Sequence, residues 1–198
     1  MLGGVATLPL AAPTAKISNG ELRGIADPHG RAHFRGIPYA KPPIDKLRFE
    51  PPKPYPPWEG VRDAAEFAAP CPQPSRYAGC PQCGWSTIQN LQAADESCLF
   101  LNIVAPPASL APPSPKGFPV VVYFHAGEFH FGAGSDKESD VPYFADDVVL
   151  VTPNSRLGAF GFLFADELKR GSGHFGILDQ RFALEWVQVH ISAFRGDA

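Results

Sequence analysis

The stretch Val120-Val121-Val122-Tyr123-Phe124-His125-Ala126-Gly127-Glu128-Phe129 runs a buried-type apolar segment straight into a short loop holding a histidine, a glycine and an aromatic. A loop of that kind can present bare main-chain N–H groups to an oxygen that becomes negative during acyl transfer. The chemistry it suggests needs a nucleophile, and no serine of these 198 residues stands in a G-x-S-x-G frame. His125 sits in the loop, where it is expected to hydrogen-bond locally. His130 and His174 are expected in loops or at the surface. His190, near the end of a helical segment, could place a partial positive charge favourably at the helix dipole. No pair among the six histidines has a convincing carboxylate partner, so no metal site is expected.

Four cysteines, Cys71, Cys80, Cys83 and Cys98, crowd into a Pro/Gly-containing stretch. Such clustering suggests disulfides and an oxidising, secreted or extracytoplasmic setting. A zinc site is the rival reading: Cys80-x-x-Cys83 supplies one close pair, but Cys71 and Cys98 supply no second. A net charge of −3 with no basic stripe argues against nucleic acid as a partner. No apolar run reaches the roughly 18–20 residues that cross a bilayer. Residues 1–15 are weakly apolar with no basic residue ahead of the run, and read as a degenerate leader or a disordered end.

Positioning such a loop needs a sheet. Lys16 to Ile25 and Ala32 to Tyr39 read as two strands joined through Asp27-Pro28-His29-Gly30. The proline-rich residues 41–70 cannot be helical and are expected to lie extended on the body. Leu99 to Val104 is a further strand, residues 105–117 the expected disordered loop, and Pro119–His125 and Val148–Pro153 two buried strands. Asn154 to Phe164 reads as a Gly-punctuated loop. Gly176 to Ile191 reads as a helix with Leu178, Phe182, Trp186 and Val189 as its apolar stripe. The class is α/β, with an antiparallel hairpin start followed by buried strands and a helix.

Several blocks now resemble a known family, the type-B carboxylesterases and cholinesterases. Phe34-Arg35-Gly36-Ile37-Pro38-Tyr39-Ala40 with Pro42-Pro43 is similar to the family's F-x-G-I-P-Y-A-x-P-P. Glu96 to Asn102 resembles E-D-C-L-Y-L-N, with Ser97 replacing Asp. Asn154 to Phe162 resembles N-Y-R-L-G-x-x-G-F, and Gly176 to Val187 resembles G-L-L-D-Q-R-x-A-L-x-W-V. With the His125 loop, five blocks stand in the family's order. The resemblance implies the N-terminal part of an α/β-hydrolase sheet over 16–198, a partial type-B domain that stops before the nucleophile elbow. Phe194-Arg195-Gly196-Asp197 resembles the F-G-G-D-P found just before the elbow strand.

By the same resemblance, the oxyanion-hole donors are the amides of Gly127 and Glu128. The chain departs from the family's H-G-G-G-F in Ala126 and Glu128, and a carboxylate at 128 would oppose a developing negative charge. The family's base lies elsewhere, so His125 is not expected to serve as one. Cys71 and Cys98 match the family's first disulfide, expected to stabilise by about 3 kcal/mol. Cys80 and Cys83 are extra. Trp85 is the nearest candidate for the family's cation-binding aromatic, with a solvent-shielding role as the plainer reading. Two buried ion pairs are implied, Arg48 with Glu96 and Arg156 with Asp179.

The implied activity is hydrolysis of small-molecule carboxylic esters through an acyl-serine, with no cofactor, in a full-length protein. The 198 residues lack the serine, the acid and the base, and are expected to be inactive alone. The alternative is a catalytically lapsed, neuroligin- or glutactin-like adhesion protein, which Glu128 favours.

Overall fold

A computed structural model describes residues 11–74, 94–136, 147–168 and 173–198. Cys80, Cys83 and Trp85 lie outside the described residues. Among those residues, strands β1 (Thr14–Ile17), β2 (Gly20–Arg23) and β5 (Val61–Asp63) form a small sheet in the order β1-β2-β5. Strands β3 (Ile25–Ala26), β4 (Ala32–Pro38), β6 (Phe100–Ala105), β7 (Val120–Val122) and β8 (Val149–Pro153) form the main sheet, ordered β3-β4-β6-β8-β7. Its pairs are antiparallel except β7 with β8.

The segment Lys16–Ile25 is not one strand. Ser18 and Asn19 turn the chain between Ile17 and Gly20, so β1 and β2 make their own hairpin and β3 follows separately. Asn19-Gly20 is a strong turn signal that lay inside an apparently continuous run. β1 also takes in Thr14 and Ala15, inside the expected leader. The proline-rich arm is not extended throughout: Asp45–Leu47 form a 3-10 turn between its prolines, and the arm reaches this hairpin near Trp58. Trp58 N donates to Asn19 O at 2.8 Å, and the Trp58 indole donates to Glu21 O at 3.1 Å.

β8 is buried along its whole length, as its Val-Leu-Val core requires of a central strand. The Pro119–His125 run forms strand only over Val120–Val122, and these residues are half-buried at the sheet edge. Tyr123 N still reaches Val151 O at 2.8 Å before the chain leaves the ladder. The 105–117 segment is not the disordered loop expected. Arg195 donates to Pro106 O at 3.1 Å, to Pro107 O at 2.6 Å and to Leu110 O, and its guanidinium lies 4.9 Å from the Phe118 ring.

Helix α1 (Gly158–Phe162) is a single turn within the expected 154–164 loop, and α2 (Phe175–His190) runs on into a 3-10 helix, Ile191–Phe194. The buried face of α2 carries Phe175, Gly176, Asp179, Ala183, Trp186, Val187 and His190. The expected stripe is therefore rotated: Trp186 is buried, but Val189 is 68% exposed. Asp179 displaces apolar residues from the buried face because it arrives with a partner. Trp186, Ile191 and Phe194 join Ile17, Leu22, Phe34 and Leu101 in one core.

β4 carries a bulge between Phe34 and Ile37. Gly36 there has φ +64°, which glycine adopts without strain, and its N–H turns away from the ladder to Asn102 Oδ1 at 3.0 Å. Asn102 in turn donates to Gly134 O, so the bulge is one bond away from the loop after β7.

Candidate active site

The loop after β7 folds back on itself. Ala126 O meets His125 Nδ1 at 2.9 Å, and because a carbonyl only accepts, Nδ1 carries the proton. Burial of the imidazole pushes the His125 pKa below its ordinary value, against smaller raising effects from Ala126 O and Asp136. A ring locked to its neighbour's carbonyl is a brace for the loop. Gly127 is buried with φ +124°, and a Cβ there would run into the Phe131 carbonyl. Its own carbonyl accepts from His130 N at 2.8 Å and Phe131 N at 3.2 Å. Glu128 and Phe129 follow at φ +53° and +61°, both left-handed. Glu128 O accepts from His130 Nδ1 at 2.7 Å, and Phe129 O accepts from Gly158 N, the start of α1, at 2.8 Å.

Every carbonyl from Ala126 to Phe129 is therefore occupied. The amide hydrogens of Gly127 and Glu128 meet no acceptor among the described residues. Successive main-chain N–H groups left without an acceptor can receive an anion or an oxyanion. The Glu128 residue is exposed.

The far side of the loop is clamped at Gly134. Its N–H donates to Asn154 Oδ1 at 2.8 Å. Its carbonyl accepts from Thr152 Oγ1 at 2.8 Å and Asn102 Nδ2 at 3.1 Å. Asn154 Nδ2 reaches Cys98 O and Ala69 O, both at 3.2 Å. Sequence reasoning passed over these three side chains. Asn102 and Asn154 were nonetheless visible as an end and a beginning of two motif blocks, and the fold brings those two positions to one glycine. Gln73 was also missed. Its Oε1 accepts from Gly132 N at 2.8 Å, and its Nε2 donates to Gly132 O at 3.0 Å and to Cys71 O at 3.1 Å.

Cys71 and Cys98 form a disulfide with both residues buried. Arg156 and Asp179 are brought together deep inside, with side chains 3% and 0% exposed. Arg156 Nε and Nη2 grip the two carboxylate oxygens at 2.8 and 2.7 Å, and Arg156 N adds a bond at 3.0 Å. Burial pushes the Asp179 carboxyl above its ordinary value, and these bonds only partly offset it. Arg48 and Glu96 also meet, at 2.6 and 2.7 Å, but Arg48 is 42% exposed. That pair is not buried, and an exposed pair is worth little. His190 ends the helix as expected, but without the partial positive charge expected to suit its dipole. It is buried, and burial pushes its pKa down. Among the described residues no group of three or more His, Cys, Asp or Glu could hold a metal. No described helix is long and apolar enough to cross a membrane.

Residues 11–198 match the model of the carboxylesterase family. The chain belongs to the carboxylesterase family. It is 40% identical over 181 residues to the para-nitrobenzyl esterase of Bacillus subtilis, covering 90% of this chain and 35% of that protein. It is 37% identical over 202 residues to the acetylcholinesterase of Bungarus fasciatus, covering 98% and 32%. Among solved structures, a thermophilic PNB esterase superposes with a TM-score of 0.80 at 37% identity, over 94% of this chain and 37% of that one. Carboxylesterase EST55 of Geobacillus stearothermophilus gives 0.75 at 38% identity, over 93% and 36%. The chain thus spans about a third of the length of these carboxylesterases, and its architecture is a partial α/β-hydrolase fold.

Proposed function

We propose that this carboxylesterase-family chain supplies the oxyanion-binding part of a serine esterase acting on small-molecule carboxylic esters. The observation that carries the reading is the pair of uncommitted amides at Gly127 and Glu128, held by a loop whose carbonyls are all engaged. In this reading a serine encoded beyond these residues attacks the ester carbonyl. The carbonyl oxygen gains negative charge, the two amides receive it, and water later releases the acid from the acyl-serine. No cofactor is required. The Cys71–Cys98 bridge suits an extracytoplasmic setting.

The test is active-site titration with a chromogenic acetate ester. The 198 residues alone should give no burst. A full-length protein carrying them should give one equivalent of released phenolate. Burst acylation by the 198 residues, or none by the full-length protein, defeats the reading.

Glu128 supports a second reading, a family member that has lost catalysis and binds partners through the same fold. Its carboxylate stands on one of the two donor residues, where negative charge is unwelcome. A full-length protein that is well folded yet inert to a fluorophosphonate would favour it.

A further inference from the structure

Between the disulfide loop and the candidate oxyanion loop lies a glutamine side chain that touches both. Gln73 stands two residues after Cys71, and its amide docks on Gly132 as a second strand would, accepting from the N–H and donating to the C=O. A third bond returns from Nε2 to Cys71 O. Glutamine suits this place because it has both an acceptor and two donors on one planar group. Asn would fall short by a methylene, and Glu would set an acceptor against the carbonyls of Gly132 and Cys71. Gly132 is also where the loop turns back over His125, since a Cβ at Gly132 would run into the His125 ring and the Ala126 carbonyl. Holding Gly132 therefore fixes His125 and the Ala126 carbonyl, and through them the peptide that carries the Gly127 N–H.

We propose that Gln73 is a positioning residue for the oxyanion-binding amides, coupling them to the Cys71–Cys98 bridge. This rests on the esterase reading above. Gln73 touches no reacting atom. It sets where the Gly127 and Glu128 amides stand, so its loss should be felt as charge develops on the substrate oxygen and scarcely in substrate binding.

The experiment compares wild type, Gln73→Ala and Gln73→Glu in the full-length protein. Three readouts are needed: kcat and KM on an aryl acetate, inhibition by an aryl trifluoromethyl ketone, and thermal denaturation. Both variants should lose about 10- to 100-fold in kcat, in the range that follows from misplacing donors by an ångström or less. KM should stay within about twofold, and ketone affinity should fall in parallel with kcat. Unchanged kcat and ketone affinity in the variants of an active wild type overturn the assignment. So does a rise in KM alone. Failure of both variants to fold also overturns it, because Gln73 would then be a structural bond of the whole domain. An inert wild type strikes the esterase reading itself, and is told apart by its lack of any burst.

Discussion

Four successive carbonyls, Ala126 to Phe129, are tied back by His125, His130, Phe131 and Gly158, while the amides of Gly127 and Glu128 meet no acceptor among the described residues. Glu128 is the residue that sits least well there. It holds a left-handed φ of +53°, which strains a side chain by about 1–2 kcal/mol, and it adds a carboxylate beside the donors. Replacing it with glycine should leave stability within about 1 kcal/mol, since relief of strain and loss of chain stiffness oppose each other. Removing the charge should speed acylation about fivefold, the effect of roughly 1 kcal/mol after solvent screening. Stopped-flow burst rates of wild type and Glu128→Gly check this, and a slower variant would show that the carboxylate helps. Arg156 makes the opposite case. Arg156→Ala strands the Asp179 carboxylate where it is 0% exposed, and should cost about 3–5 kcal/mol in urea denaturation at pH 7. Stripped of its partner, Asp179 keeps only the burial that raises its pKa. Its folded form then holds a proton more readily than its unfolded form, so the variant's deficit should shrink as pH falls toward 4.

Among the elements, the β3–β4 hairpin is the one whose turn chemistry was plain in advance. Asp27 accepts from His29 N at 2.8 Å, Arg31 N at 3.0 Å, Arg31 Nε at 2.7 Å and His33 Nε2 at 3.1 Å. Burial alone would raise its carboxyl, but the bonds from His33 and Arg31 outweigh burial and hold it well below the usual carboxylate range. A depressed folded pKa gives stability that is present above the unfolded value, 3.8, and is lost as pH falls through the folded value. Asp27→Ala should therefore cost about 2 kcal/mol at pH 7, and the gap from wild type should narrow below pH about 4. A gap that stayed constant down to pH 2.5 would place the effect elsewhere. Other elements were harder to read. Asn19-Gly20 hid a hairpin because apolar residues continue on both sides of it. The α2 stripe was misplaced because its buried face includes Asp179, whose cover depends on an arginine 23 residues earlier. The 105–117 loop looked unstructured because its order comes from Arg195, nearly ninety residues further on. Periodicity sees neighbours along the chain, and each of these features depends on a partner far from it in sequence. The candidate site was legible for a different reason. The donors proposed for it lie within one motif, whereas Gln73 and the clamp at Gly134 join separate motifs and become visible only in space.

At the scale of the whole molecule, the Cys71–Cys98 bridge closes a separation of 27 residues, which in the chain-entropy model stabilises by about 3–4 kcal/mol. Replacing both cysteines with alanine should lower Tm by roughly 6–16 °C for a domain of this size. Differential scanning calorimetry of oxidised wild type against the double variant measures it, and equal midpoints would mean that the bridge constrains nothing the unfolded chain explores. One core contact reaches further than the bridge does. Phe34 meets Phe194 edge to face at 5.0 Å, and β1 packs near the same 3-10 helix. The first strands pair among themselves early, β1 with β2 and β3 with β4, but Phe34 lacks this core contact until residue 194 has been made, which at roughly 5–20 residues per second is a wait of about 8–32 s. Stalled nascent chains whose emerged part stops before Ile191 should be digested readily by a pulse of protease, and chains whose Phe194 has cleared the ribosome should resist it better. For that interval the side of Phe34 that the last helical turn will cover stays bare.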